Sequence, residues 1–251
     1  PKIVGGECVI GVGLSEYVGA REDAGIEFSN GKLSGRSLFL IDGKDADGFL
    51  LANKSGELYL VDASSKGIEV TELTTVDKTR TSIELILKDV DAELLTGSSD
   101  KSVIEKVLDA GRLMLSADTV GAAQVMLDKS VAYSLERKQF GRLIGSFQAV
   151  KHMCAEMAAD LEPCHSMIWH AAHCLDNVPE EARLMACQTK AHISEVGKQV
   201  SKTATEVHGG MGFTDELGLH YWFKRIGLNR QLLGSPELIR EEAGKLQGFD
   251  Q

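Results

Sequence analysis

Two short stretches gather residue types able to grip a phosphorylated ligand. In ERKQFGRLIGSFQAVK (136–151), Arg137 offers a planar fork of donors that suits a pyrophosphate. Phe140 adds an apolar face, and Gln148 an amide that donates and accepts at once. In ATEVHGGMGFT (204–214), the pair Gly209-Gly210 lets backbone approach a phosphate or ribose closely. Each residue alone has a plainer reading. Arg137 suits a solvated cation at a helix end, the double glycine a helix stop, and Phe140 and Phe147 a packed core. Arg, Phe, Gln and two glycines nonetheless occur together in neighbouring helical segments.

The elements that must position these residues follow from two different grammars. Residues 1–97 hold 13 of the 26 glycines and −7 of the net charge of −10, in short alternating runs at 8–14, 26–28, 37–41, 49–52, 57–61, 68–73 and 83–87. Asn30-Gly31, after the second run, predicts a tight hairpin turn. Many short strands predict an antiparallel β barrel or sandwich. From Ser98 the apolar period becomes helical, through Val103, Val107, Leu108, Met114, Leu115 and Val120. A proline-free helix is expected to about residue 137, capped by Ser98, Ser99 or Asp100. A second, capped by Ser146, is expected to run to about 175 with a kink at Pro163. A third starts at Pro179, whose Glu180 and Glu181 suit the positive end of the dipole, and stops at Gly209-Gly210. Shorter helices are expected at 215–225 and 236–246. The predicted fold class is therefore α+β: a β domain over 1–97, then an antiparallel four-helix-type bundle over 98–251.

Composition narrows function. A surplus of 37 acidic over 27 basic residues argues against a nucleic-acid surface, which tracks phosphates with cations. No apolar run approaches the roughly 18 residues that span a bilayer, so no membrane role is expected. Residues 1–13 contain one Lys and no long apolar core, so a secretory leader is not expected. Cys8, Cys154, Cys164, Cys174 and Cys187 form no CxxC pair; reduced thiols, no metal and a cytoplasmic location are expected.

Taken together, the two stretches resemble the acyl-CoA dehydrogenase family. The first is similar to its RKxFGxxxxxxQ segment and the second to its AxQxxGGxGF segment. The order of a β domain and a helical bundle resembles the family's middle and C-terminal domains, and the family's N-terminal helical domain is expected to be absent. The resemblance implies FAD and α,β-desaturation of an acyl-CoA thioester, with a carboxylate base removing the α-proton and a β-hydride passing to the flavin. It also implies that these two segments hold the ADP half of the FAD bound in a neighbouring subunit. By position, Gln139, Ile144, Phe147, Glu206 and Val207 join Arg137, Phe140, Gln148, Gly209 and Gly210 as cofactor-binding candidates. Glu206 replaces the family's Gln, and a carboxylate there repels a diphosphate unless it is protonated or turned away.

The departures matter as much. The stretch matching the family's TEPxAGSD-like flavin turn is SEYVGARE (15–22), with Tyr17 for Pro and Arg21 for Ser. The stretch matching its WxTN-like strand is FLID (39–42), so Ile41 replaces a Thr that would hydrogen-bond flavin. The base positions hold Leu233, within a YEGT-like turn, and Gly111, within an LER-like motif. Glu237 is the fallback base, four residues off; Asp109, two residues from Gly111, belongs to another helix face. The expected function is a non-catalytic subunit that completes the FAD site of a catalytic partner, which holds the acyl-CoA. It resembles one half of the α2β2 assemblies of bacterial steroid catabolism. The alternatives are a self-sufficient homo-oligomer using Glu237 and a scaffold that binds no FAD.

Overall fold

The structure, a computed structural model, describes residues 2–19 and 24–249. It divides into two compact units, Pro1–Leu108 and Asp109–Gln251.

The first unit holds β1 (Ile10–Gly13), α1 (Ser15–Val18), β2 (Gly25–Ser29), β3 (Lys32–Ile41), β4 (Gly48–Ala52), β5 (Leu58–Asp62), β6 (Ile68–Glu72), β7 (Ser82–Asp91) and β8 (Glu93–Leu94). They form one sheet in the order β6-β7-β3-β1-β4-β5-β8, with β2 also paired to β3. Asn30 (φ 52°) and Gly31 (φ 80°) both take left-handed backbone in the β2–β3 hairpin. That is the turn whose twist matches the flanking strands. Alternation along β7 buries Ile83, Leu85, Leu87 and Val90 against Leu33, Leu40, Leu51 and Val61.

The sheet is mixed rather than wholly antiparallel. β1 runs parallel to β4, from Ile10 opposite Gly48 to Gly13 opposite Leu51. The chain leaves β1, makes the β2–β3 hairpin, and returns along β3 antiparallel to β1. It then enters β4 on the other side of β1, and an excursion of this length is what a parallel pair requires. Alternating residues predict strands but carry no record of which neighbour each strand finds.

The long helix α2 (Lys101–Glu136) leads into the second unit. A two-stranded hairpin, β9 (Lys138–Gln139) and β10 (Arg142–Leu143), follows it. Then come α3 (Gln148–Asn177), α4 (Pro179–His208), α5 (Leu219–Gln231) and α6 (Pro236–Leu246). Met126, Met157, Leu161, Cys164, Ile193, Val200, Ala204 and Ile226 form the core.

Two local expectations change. The N-cap of α3 is Phe147, not Ser146. Ser146 Oγ donates instead to Leu143 O at 2.7 Å, closing a 3-10 turn over Ile144–Ser146. Pro163 lies inside α3, which is helical on both sides of it from Gln148 to Asn177. α5 begins at Leu219 rather than 215, because Gly218 (φ 62°) is its left-handed N-cap. Asp215 is spent outside the helix on His220 Nε2, 2.6 Å away.

Candidate functional site

The loop after α2 is held by backbone: Arg137 N donates to Tyr133 O (2.9 Å) and Ile144 N to Arg137 O (2.8 Å). Between those anchors, Phe140 (φ 53°) and Gly141 (φ 79°) make the β9–β10 turn. Phe140 is 91% exposed. An aromatic residue in left-handed backbone and in water is disfavoured twice, by about 1–3 kcal/mol of backbone strain and by unburied apolar area. Phe147, half-buried, meets Phe140 edge-on at 6.1 Å and lies 3.9 Å beneath the Arg142 guanidinium. Gln139 is exposed in β9, and Ile144 is half-buried. Gln148 opens α3 beside His152, with Nε2 atoms 3.3 Å apart. Arg137 is exposed and has no ion-pair partner among the described residues. Its fork is thus available to an outside anion.

The second segment sits at the C-terminal end of α4. Three of its glycines have different reasons to be glycine. Gly209 takes φ 59° at the helix C-cap. A Cβ on Gly212 would press on Thr205 O at 2.9 Å, so the turn after α4 packs only without one. Gly210 has neither constraint: its φ is ordinary and a Cβ there would meet nothing within 4 Å. The fold does not demand a glycine at 210, which leaves access to its backbone as the physical reason for one. Glu206 is exposed, 4.0 Å from Lys202 one turn back, which offsets its charge. The Val207 side chain is buried in the helical core, which leaves only its backbone to face a ligand.

His208 was not singled out by sequence, yet it ties the second stretch to the last turn of α2. Its ring stacks on Tyr133 at 4.6 Å. Its Nδ1 lies 2.7 Å from Ala204 O; a carbonyl only accepts, so Nδ1 carries the proton. Burial lowers its pKa and holds the ring neutral. A histidine in the last turn of a helix is the signal that could have marked it.

The two positions expected to carry a base converge. A Cβ on Gly111 would lie 2.5 Å from Leu233 Cδ1. Positions 111 and 233, distant in sequence, therefore share one spot, and neither residue here can take a proton. Leu233 is held at φ 58°, and its carbonyl accepts from Arg112 Nε at 3.1 Å. Arg112 is buried and forks onto Glu242, with Nη1–Oε1 at 3.1 Å and Nη2–Oε2 at 2.8 Å. Asp109 is buried within the same cluster, 3.3 Å from Arg183.

Glu237 is taken up elsewhere. It pairs with Arg230 at 2.6 Å on the exposed start of α6. Hydrogen bonds from its own backbone and from Ser235, with the Arg230 pair, pull its carboxyl down to about 2. A carboxylate of such low basicity is a poor general base near neutral pH.

Behind this cluster, Lys190 is fully buried, its Nζ 2.6 Å from Asn229 O and 3.1 Å from Ser194 Oγ. Burial, helped by Arg112 and Arg230, lowers its pKa from 10.5 to about 7. The unfolded chain then binds more protons than the folded one between these values, so stability rises with pH across that window. The slope is at most about 1.4 kcal/mol per pH unit. Urea unfolding from pH 7 to 10 checks this: wild type gains relative to Lys190→Met as pH rises, and parallel curves refute it.

In the first unit, the described part of the stretch that resembles a flavin turn, residues 15–19, is committed within its own unit. Glu16 is buried and spends its carboxylate on Leu38 N (2.8 Å) and Ser37 Oγ (3.2 Å). Ile41 offers no polar side-chain atom at the end of β3. Arg21 lies outside the described residues. Arg137 and Phe140 are exposed and the Gly210 backbone is open, features that suit an anionic ligand.

Comparison with known proteins agrees with this geometry. Residues 101–246 match the family described as "Acyl-CoA dehydrogenase, C-terminal domain". The chain is 39% identical over 111 residues to caffeyl-CoA reductase-Etf complex subunit CarC of Acetobacterium woodii, covering 44% of this chain and 29% of that protein. It is 34% identical over 139 residues to acyl-CoA dehydrogenase IpdE2 of Mycolicibacterium smegmatis, covering 55% and 42%. Among solved structures, a variant of the Tcur3481-Tcur3483 steroid ACAD superposes with TM-score 0.87 at 25% identity, over 99% of this chain and 70% of that one. The matches to those two curated relatives span 29% and 42% of their lengths. No helix among the described residues is long and apolar enough to cross a membrane. With a family match over more than half its length and the family's fold in both units, this chain belongs to the acyl-CoA dehydrogenase family.

Proposed function

We propose that this chain is the non-catalytic subunit of an FAD-dependent acyl-CoA dehydrogenase, completing the FAD site of a catalytic partner in an α2β2 assembly. The observation that carries the reading is the contrast between its two sites. The shared base position holds only Gly111 and Leu233, whereas Arg137, Phe140 and Gly210 are left open to an outside ligand. FAD, when bound, supplies the redox chemistry of acyl-CoA desaturation. This chain's part is to bind and orient. Arg137 neutralises the diphosphate, the Phe140–Phe147 pair offers an apolar wall, and Gly209 and Gly210 admit close backbone approach. The partner holds the acyl-CoA and supplies the base. Two relatives lend support: one is a subunit of a reductase-Etf complex, and the other is a steroid ACAD named by two chains.

The test is purification of the chain alone and with its co-purifying subunit, read by visible flavin absorbance and acyl-CoA oxidation. Flavin and turnover only in the assembled form are expected. Turnover by the lone chain, abolished by Glu237→Gln, would establish the self-sufficient enzyme instead. An assembly whose flavin content ignores Arg137 would establish the scaffold.

A further inference from the structure

The tip of the α3–α4 hairpin places three unlike metal-binding groups together. His170 and Cys174 lie one turn apart in the last two turns of α3, and Glu181 lies in the first turn of α4. One residue, Val178, joins the helices, and Pro179 follows it at the start of α4. Backbone bonds lock this joint: Val178 N donates to Cys174 O and Glu181 N to Val178 O, each at 3.0 Å. One ligand atom from each of the three side chains lies within 4.8 Å of the other two. His170 Nε2 is 3.8 Å from Cys174 Sγ.

These spacings are close to what a tetrahedral ion demands. Zinc bonds of about 2.3 Å to sulfur and about 2.0–2.1 Å to nitrogen place those two atoms about 3.6 Å apart. His170 and Glu181 are exposed, whereas Cys174 is fully buried beneath them. The buried thiol therefore meets an imidazole and a carboxylate that reach solvent, which gives an ion a path of entry. The donors are one sulfur, one nitrogen and one oxygen, the mixture that suits a borderline-soft ion rather than calcium or magnesium. One thiolate and one carboxylate balance a divalent charge. The HxxxC spacing on one helix and a glutamate across a tight joint contain no CxxC pair, so cysteine spacing alone does not reveal the cluster.

We propose that His170, Cys174 and Glu181 form a zinc-class metal site that clips the α3–α4 hairpin and leaves a fourth position for water. Binding displaces the Cys174 proton to solvent, forming a metal–sulfur bond with no change of oxidation state. Burial, with Glu181 and Glu180, raises the thiol's pKa when no metal is present. The site is independent of the FAD-binding reading, because none of its residues belongs to that surface.

The chain, stripped with a chelator, is titrated with Co²⁺ and then Zn²⁺. A thiolate-to-cobalt charge-transfer band saturating at one equivalent, and bleached by one equivalent of Zn²⁺, is expected. Cys174→Ser abolishes the band, His170→Ala and Glu181→Gln weaken binding at least about 10-fold, and Cys154→Ser leaves it unchanged. Should Cys174→Ser fail to fold by circular dichroism, the two exposed-ligand variants decide. Absence of the band, its survival in Cys174→Ser, unaltered affinity in both His170→Ala and Glu181→Gln, or saturation only at millimolar metal overturns the proposal.

Discussion

Arg112→Ala lowers the unfolding free energy by about 3–5 kcal/mol, the cost of removing one partner from a buried ion pair. Arg112 is 2% exposed and serves four neighbours at once: the Glu242 carboxylate, the Asp109 carboxylate at 3.7 Å, Cys187 Sγ at 3.3 Å, and the Leu233 carbonyl. Without it, Arg183 remains on Glu242 at 2.5 Å, but one cation then faces both Asp109 and Glu242. Leu233 also loses the donor on its carbonyl while its backbone stays in the left-handed region. At about 2–4 °C per kcal/mol for a chain of this size, the melting temperature falls by about 6–20 °C. Arg112→Lys restores the charge but not the fork, so it recovers only part of the loss. Chemical denaturation gives the number; a loss below about 1 kcal/mol shows that the cluster is not the clamp described.

Arg137→Ala acts in the opposite way, on the ligand and not on the fold. Its guanidinium supports no described residue, so the melting temperature of the chain alone stays unchanged. In the assembled protein it removes a charge-assisted bond to the diphosphate, about 1.5–3 kcal/mol, or about 10- to 100-fold in FAD affinity. Arg137→Lys keeps the charge without the planar fork and retains part of the affinity. The wild-type affinity weakens with added salt more steeply than that of Arg137→Ala, because an exposed cation is screened. Flavin retained after gel filtration, with calorimetric titration of the stripped complex, measures both. Equal retention in wild type and Arg137→Ala refutes the assigned role of this surface.

Much of the architecture was legible in the residues. Asn30-Gly31 predicted its turn because only residues tolerant of positive φ fit there, and Pro179 predicted a helix start because a first turn needs no proline N–H. Their information is local, and so is the property. The parallel β1–β4 pair was not legible, since pairing depends on the path taken through β2 and β3. The β9–β10 hairpin was missed because Phe140 contradicts its own preference at a left-handed position. Arg137 and Phe140 are exposed, and a Cβ at Gly210 would meet nothing within 4 Å, so all three lie where an outside ligand can reach them. The burial of Val207 was not legible, because position in a motif says nothing about which face of a helix points inward. The metal cluster was illegible for a related reason: its third member comes from the next helix, and only the single-residue joint brings it near.

The contact between residue 111 and residue 233 also bears on how the chain could change. Any carboxylate-bearing side chain installed at 111 requires the Leu233 side chain to shift, because its Cδ1 lies where a single added carbon would go. A swap at 233 meets no such obstacle from Gly111, which has no side chain to move. A proton acceptor placed at 233 thus displaces nothing at Gly111, whereas one placed at 111 needs the end of the Leu233 side chain to turn away.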